Sequence, residues 1–476
     1  MKLSIAQSRS FALGLGLMLA GGAMAVLTAG ANAASKNQAP VLVKDTRPGH
    51  SGGIQGSFRG GGPGPQLANV GGKLYFTAND GRHGFELWRS DGRVRGTRMV
   101  KDIHPGAASS YPLRVTPSSG APVFYFVADD GVHGAELWRS DGSGAGTMMV
   151  KDLAAGTGYS GAFELTNVDG MLYFGVCICA QGPPNAGLWR SDGTEAGTTQ
   201  LKQIVDFQSL IDVNGTLYFG GAGDDPMFKI GLWRSDGTAA GTTAVKDMGG
   251  LPAEITNVNG ALYFRGDDGV HGLELWRSDG TEAGTTMVRD INPAGGIPPG
   301  GSAPQNLTDV KGALYFLVQY GVDLPRELWR SDGTEGGTVM VKRVDAAGQA
   351  GLGDLTAFKG KLYFIAQGDD LWRSDGTPEG TTLVKRNCCS NLTPAQGRLY
   401  MVGSDKRHGL ELWRSDGTRK GTRIVKNIRR GRLGSRPEYL TAIGRTLFFS
   451  AKDGKHGREL WKVGPNCKPV KKCKKR

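Results

Sequence analysis

Residues 255–295 read ITNVNGALYFRGDDGVHGLELWRSDGTEAGTTMVRDINPAG, and this stretch decides the fold. Four short apolar runs follow one another, separated by turn signals and without helical periodicity. The pattern predicts strand a near Ile255–Val258, b near Ala261–Gly266, c near Leu273–Ser278 and d near Thr286–Ile291. Asn259-Gly260 between a and b is a two-residue hairpin signal, since both residues tolerate positive φ. Asp279-Gly280 opens the c–d turn on the same logic, with a carboxylate placed to accept nearby backbone N–H groups. Gly-Val-His-Gly joins b to c. The consecutive Leu262-Tyr263-Phe264 suits a strand covered on both faces by neighbouring sheets.

The same unit recurs along the chain. All nine tryptophans fall in it: Trp88, Trp138, Trp189, Trp233, Trp276, Trp329, Trp372, Trp413 and Trp461, at spacings of 41 to 53 residues. A period in the forties with variable loops matches one four-stranded propeller blade. The 77 glycines of the 476 residues punctuate these apolar runs with no Gly-x-y period, which excludes a collagen-like chain. The two ends have complementary defects. Residues 41–49, VLVKDTRPG, look like a strand d and its exit turn with no a, b or c before them. Residues 444–464, GRTLFFSAKDGKHGRELWKVG, stop just after strand c. A ring in which the first strand completes the last blade removes both exposed sheet edges. The expected fold is therefore all-β, a single closed β-propeller over residues 41–463 with about nine four-stranded blades. Eight blades with one copy displaced is the alternative.

The motif reads ELWRSDG at Glu86, Glu136, Glu274, Glu327 and Glu411, GLWRSDG at Gly187 and Gly231, and DLWRSDG at Asp370. Gly-Thr and a VKD-like strand follow. The core resembles the ELWxxDGT-repeat proteins of bacteria, over roughly residues 41–463. That resemblance implies an exported, propeller-like repeat protein and no settled activity. Copies three, four and seven depart from it by lacking the leading Glu, and the ninth reads ELWKVG without the Asp-Gly.

The flanks point to a compartment. Residues 1–33 read as a signal peptide: Lys2 and Arg9 give a basic start, Phe11 to Gly30 is apolar and small, and Ala31-Asn32-Ala33 fits a cleavage site. An uncleaved anchor is the alternative, because the apolar run is near membrane-spanning length. No later segment is apolar enough to span a bilayer, so cleavage would leave a secreted, periplasmic or cell-surface protein. Residues 34–40 form a short linker and residues 464–476 a basic tail. The formal net charge of +13 concentrates in Lys468, Lys471, Lys472, Lys474, Lys475 and Arg476, with Arg429, Arg430 and Arg432 as a second cluster. The tail is a candidate contact for anionic polysaccharide, lipid headgroups or nucleic acid. Nothing resembles a nucleic-acid reading module, so no specific nucleic-acid partner is expected.

Export would hold the six cysteines in an oxidising compartment, where Cys177, Cys179, Cys388, Cys389, Cys467 and Cys473 are candidate disulfide formers. Copies three and seven lie far apart around a ring, so local pairing is expected. Cys467–Cys473 closes a small loop; Cys177–Cys179 requires a turn, because residues i and i+2 of an extended strand stand about 6.6 Å apart. A Cys-x-Cys metal or redox site is the sharper alternative.

On strand c the period of two puts Glu and Trp on one face and Leu and Arg on the other. A buried aromatic in every blade fills the seams between blades, at about 3–5 kcal/mol each if truncated; a surface ring for sugar stacking is the alternative. Arg89, Arg139, Arg190, Arg234, Arg277, Arg330, Arg373 and Arg414 each follow a Trp. They are expected to bridge to an Asp of strand d or to lie over a Trp face. The turn aspartates Asp91, Asp141, Asp192, Asp236, Asp279, Asp332, Asp375 and Asp416 repeat just as regularly. Sialidase propellers also carry Asp-bearing turns and an arginine cluster, but as unique residues facing the channel. One copy per blade argues against catalysis, so no catalytic residue is assigned. His83, His133, His271, His408 and His456 sit one to a b–c turn, with His50 and His104 outside the pattern; ligands a blade apart cannot build a three-ligand metal site. Asp129–Gly131 and Asp267–Gly269 could bind calcium but lack the alternating ligand pattern; no other cofactor is expected.

The expectation is an exported, non-enzymatic propeller that binds a protein or polysaccharide partner or serves as a surface scaffold. Its contact surface would be the d–a and b–c loops, most divergent at Thr46–Pro65, Cys177–Ala186, Gly221–Ile230 and Pro293–Pro304. The runner-up is a carbohydrate-binding or glycoside-hydrolysing propeller with a channel-facing site.

Overall fold

The computed structural model describes residues 39–464 apart from 50, 55–66, 121, 157, 178–186, 224–228, 294–299, 321–324 and 345–352. The expected signal peptide, most of the linker, Cys179 and the tail with Cys467, Cys473 and its basic residues lie outside the described residues. Parts of all four divergent loops do too.

Among the described residues all regular structure is strand, arranged as nine four-stranded antiparallel sheets. Blade five carries a at Ala253–Val258, b at Ala261–Gly266, c at Glu274–Ser278 and d at Thr286–Arg289. Strand d ends before Ile291 because the Ile291 N–H leaves the ladder for the Glu274 carboxylate, at 3.2 Å. In every blade the a strand is innermost and lies against the a strand of the next blade, from Leu67–Val70 round to Glu438–Ile443 and back to Leu67–Val70. The chain is a nine-bladed β-propeller, which rules out the eight-blade alternative.

Val41–Lys44 closes it. This strand pairs antiparallel with Arg458–Val463, with Val41 opposite Lys462, Leu42 opposite Trp461 and Lys44 opposite Leu460. Val43 is buried with Ile54, Leu460 and Phe448 against Phe76 and Trp88 of the first blade. The ring is thus latched by the two ends of the fold.

Each seam is built the same way. The Trp of a blade faces back to the preceding blade, while the Tyr of strand b and the Leu of strand c face forward: Tyr75 and Leu87 pack on Phe124, Phe126 and Trp138. Eight of the nine tryptophans are buried and Trp372 is half-buried. The expected role of the arginines needs correction here. The cation over seven of the nine Trp rings comes from strand d of the preceding blade, as with Lys44 over Trp88 at 5.2 Å and Lys101 over Trp138 at 5.7 Å. The same Lys44 and Lys101 ammonium groups donate to the Thr97 and Thr147 carbonyls at 2.9 and 2.8 Å. The arginines reach forward instead: Arg89 Nη1 donates to the Gly142 carbonyl at 2.8 Å, in the c–d turn of the next blade. Ion pairs to turn aspartates come from strand b, Lys361 to Asp375 at 3.9 Å and Arg398 to Asp416 at 3.5 Å. The blade-to-blade stagger, which decides these partners, is a property of the ring and not of one repeat.

Candidate functional site

The leading Glu of the motif clamps a loop. Glu274 is wholly buried, and its carboxylate accepts from Ile291 N, Asn292 N and Ser302 N at 3.2, 3.3 and 2.9 Å, and from Ser302 Oγ at 2.6 Å. One side chain therefore fixes both ends of the d–a loop that leads to the next blade. Glu86 holds Ile103 N and Ser110 in the same manner, and Glu459 holds Thr46 and Gly53 across the closure. Glu327 departs from this: it accepts from the Trp329 indole N–H, the Tyr320 hydroxyl and the Arg343 guanidinium.

The copies without Glu are explained by loop length. In blade three strand d ends at Lys202 and the next strand a begins at Ile204; in blade four the gap runs from Asp247 to Ala253. With so short a connection the backbone itself crosses where the carboxylate would lie. A Cβ added to Gly187 would stand 2.3 Å from the Lys202 carbonyl oxygen, and one on Gly231 2.0 Å from that of Lys246. Blade seven, whose connection runs from Lys385 to Cys389, uses the shorter Asp370 to accept from Asn387 N at 2.6 Å.

Burial pushes the Glu136 carboxyl up to about 7, against hydrogen bonds from Leu153 N, Ser160 and Ala154 N that favour its ionised form. Glu86, Glu274 and Glu459 are raised for the same reason. The folded protein therefore holds the Glu136 proton more tightly than the unfolded chain, from the ordinary carboxyl range up to about 7. Its stabilising contribution is complete below that range and is lost as pH rises through it. The melting temperature should fall between about pH 5 and about pH 8, and fall less steeply in Glu136→Gln. Equal slopes in the two proteins would show that this carboxyl does not titrate in the fold.

The serines, aspartates and histidines of the repeated turns are occupied within those turns. Asp279 Oδ1 accepts from Thr281 N and Oγ1 at 2.9 and 2.7 Å, and Ser278 Oγ pairs with Thr285 Oγ1 at 2.7 Å. The turn aspartates with resolved shifts, Asp279 among them, are held low first by the Thr or Ser hydroxyl. Each turn histidine pairs through Nδ1 with the Asp three residues earlier, His133 with Asp130 at 2.8 Å and His456 with Asp453 at 2.6 Å. Asp129 Oδ1 accepts from Gly131 N at 2.7 Å, and Asp267 Oδ1 from Gly269 N at 2.7 Å. Among the described residues no three His, Cys, Asp or Glu side chains converge as metal ligands.

The channel wall holds what the sequence reading missed. In eight blades the a–b register slips at a bulge, and a non-glycine residue there takes positive φ: Arg114, Glu164, Ser209, Glu254, Asn306, Asp354, Asn391 and Tyr439. Such backbone costs about 1–2 kcal/mol per residue, and repetition identifies it as architecture. In seven of the eight a Thr stands two residues on, Ile211 being the exception, and supports it: Thr256 Oγ1 donates to the Glu254 carbonyl at 3.1 Å and stands 3.4 Å from the Leu307 carbonyl of the next blade. The recurring x-Leu-Thr of strand a was the available signal. The wall acids serve the ring as well, since Glu254 Oε2 accepts from Asn306 N at 2.7 Å and Asp354 Oδ2 from Asn391 N at 2.6 Å. A hollow between blades two and three is lined by Arg114, Val115, Thr116, Glu164, Leu165 and Thr166.

Cys388 and Cys389 are bonded to each other and buried at the start of the inner strand of blade eight, with both N–H groups donating to the Asp369 carbonyl at 2.8 and 3.1 Å. Cys177 is also disulfide-bonded. Among the described residues no helix is long and apolar enough to cross a membrane.

No family model matches the chain, and no curated protein matches it. Among solved structures it is similar to the computationally designed Ika8 protein at 13% identity and a TM-score of 0.43, covering 74% of this chain and 98% of that one. An oligogalacturonate lyase in complex with manganese is similar at 13% identity and a TM-score of 0.40, covering 91% of this chain and 95% of that one. A puromycin hydrolase gives 15% identity and a TM-score of 0.41, covering 85% of this chain and 61% of that one.

Proposed function

We propose that the chain is an exported propeller of the ELWxxDGT-repeat kind that binds a partner through its d–a and b–c loops and catalyses no reaction. The support is the use made of its carboxylates. Glycoside hydrolysis needs two of them facing a ligand, whereas the repeated Glu side chains are buried and, Glu327 apart, spent on loop N–H groups, as at Glu274. Glu136, whose raised pKa would suit a general acid, is fully buried and directed at Leu153 N and Ala154 N. Loops of unlike length and composition held on one repeated frame are the usual basis of a binding surface. Export rests on residues 1–33, and cleavage after Ala33 predicts a mature protein beginning at Ala34.

The test combines retention and turnover. Purified protein is offered a panel of defined polysaccharides and peptides, and the bound and free fractions are assayed for new reducing ends and new N-termini. Retention of an unaltered ligand is expected, and sustained product release would overturn the non-enzymatic reading. N-terminal sequencing of protein recovered outside the cytoplasm should begin at Ala34; an intact Met1 in the cytoplasm would remove export.

A further inference from the structure

We infer that the loop face of blades eight, nine and one is a docking surface for an acidic polysaccharide, formed by Arg407, Arg429, Arg430, Arg432, Lys455 and Arg82. It rests on the binding-protein reading above and names the partner's chemistry. In an antiparallel blade the b–c and d–a connections leave the same end of the sheet, so these cations share one face. Arg407 and Arg82 sit in b–c turns of blades eight and one, Lys455 in that of blade nine. Arg429, Arg430 and Arg432 belong to the d–a loop that joins blades eight and nine. These three blades are consecutive around the ring.

The arginine loop is held in place. Glu411 accepts from Ile428 N and Arg429 N at 3.2 and 3.0 Å and from Ser435 N and Oγ at 3.0 and 2.6 Å, which fixes both ends. Between them the loop lies on the b–c turn of its own blade: a Cβ on Gly434, whose φ is +61°, would stand 2.4 Å from Leu410 N. The Arg429 side chain runs on to the next blade, its Nε 3.6 Å from where a Gly454 Cβ would be. Arg407, Arg430, Arg432, Lys455 and Arg82 are exposed. Ordering entropy is thus met during folding, and a ligand meets a preset array.

Charge is left over on this face. The acids of the three b–c turns, Asp405, Asp453 and Asp80, are each engaged by their own histidine at 2.8, 2.6 and 2.8 Å. The equivalent connections of blades two and five carry Asp129, Asp130, Asp267 and Asp268 and no Lys or Arg. The field therefore has a direction across the ring, which steers a polyanion to one side. Guanidinium forks bind carboxylate and sulfate groups bidentately. Leu410 and Leu433, 43% and 60% exposed among the cations, suit the C–H faces of sugar rings better than a fully charged phosphate backbone.

Heparin serves as the probe, measured by titration at low and physiological salt, with duplex DNA of equal charge as competitor. The full chain should bind heparin in a salt-sensitive manner, more tightly than DNA. Arg430→Ser with Arg432→Ser should weaken binding about tenfold at an unchanged melting temperature. A chain lacking residues 465–476 should keep most of its affinity. Loss on tail removal with full binding by the loop variant would overturn the proposal, as would equal binding of DNA or no binding at low salt. Those failures leave the function reading standing, which falls on turnover and not on the absence of this ligand.

Discussion

Val43→Asp should open the ring. Val43 is 2% exposed and packs with Ile54, Phe448 and Leu460 against Phe76 and Trp88, so it belongs to the seam between the last blade and the first. A carboxylate there meets apolar side chains with no donor. Burying an unpaired polar group and losing the contacts together cost about 3–5 kcal/mol. Val43 is the one fully buried residue of this four-residue strand, with Leu42 half-buried against the cluster of Phe449 and Trp461. Its departure exposes the Arg458–Val463 edge and removes Lys44 from the Trp88 ring at the same time. Free edges pair with other chains. Urea denaturation should show a lower midpoint, and light scattering a concentration-dependent association absent from the parent. A monomeric Val43→Asp protein with the parent's midpoint would mean that Val41–Lys44 does not latch the propeller.

That latch was legible in the sequence because it needs only counting: an orphan strand d at one end, a missing one at the other, and nine tryptophans between. The turn-side boundaries of blade five, Val258, Ala261, Ser278 and Thr286, were legible for a similar reason, since Asn259-Gly260 and Asp279-Gly280 are chemical requirements of tight turns. Partners across blades were not. Lys101 and Arg89 both carry a positive charge near an indole in the linear pattern, and the stagger of one blade on the next gives the ring to Lys101 and the Gly142 carbonyl to Arg89. The Glu clamp was hidden because Glu274 meets its partners up to 28 residues later, in loops of unlike composition. The serines that complete it, Ser110, Ser302 and Ser435, mark it only once the structure aligns them. The positive-φ residues of strand a were hidden too, because Arg114, Glu164 and Tyr439 are not residue types that advertise a bulge.

Gly231→Glu restores the motif's leading residue in blade four and should nonetheless destabilise the protein strongly. Substitution toward a repeat consensus usually gains stability. That gain assumes that the backbone around each copy is the same, and here it is not. In blade five the connection to the next strand a is long, and its N–H groups turn in to meet Glu274. In blade four the connection is short; Met248 N donates to the Ile230 carbonyl at 2.6 Å, drawing the backbone over the position the side chain would fill. The added Cβ meets the Lys246 carbonyl oxygen at 2.0 Å and Met248 N at 3.2 Å, both backbone atoms that no rotamer change can move. The carboxylate beyond it would be buried with no loop N–H groups to receive. Steric displacement and an unpaired buried acid together should cost at least about 3 kcal/mol. Gly231→Ala should already show the steric part, while Gly336→Ala, where a Cβ meets nothing within 4 Å, should be close to neutral. Lengthening the blade-four connection to that of blade one should rescue Gly231→Glu in part, since it supplies room and donors together. Urea midpoints of the four proteins decide it: a Gly231→Glu midpoint at or above the parent's would mean that loop length does not select Glu or Gly at the head of the motif.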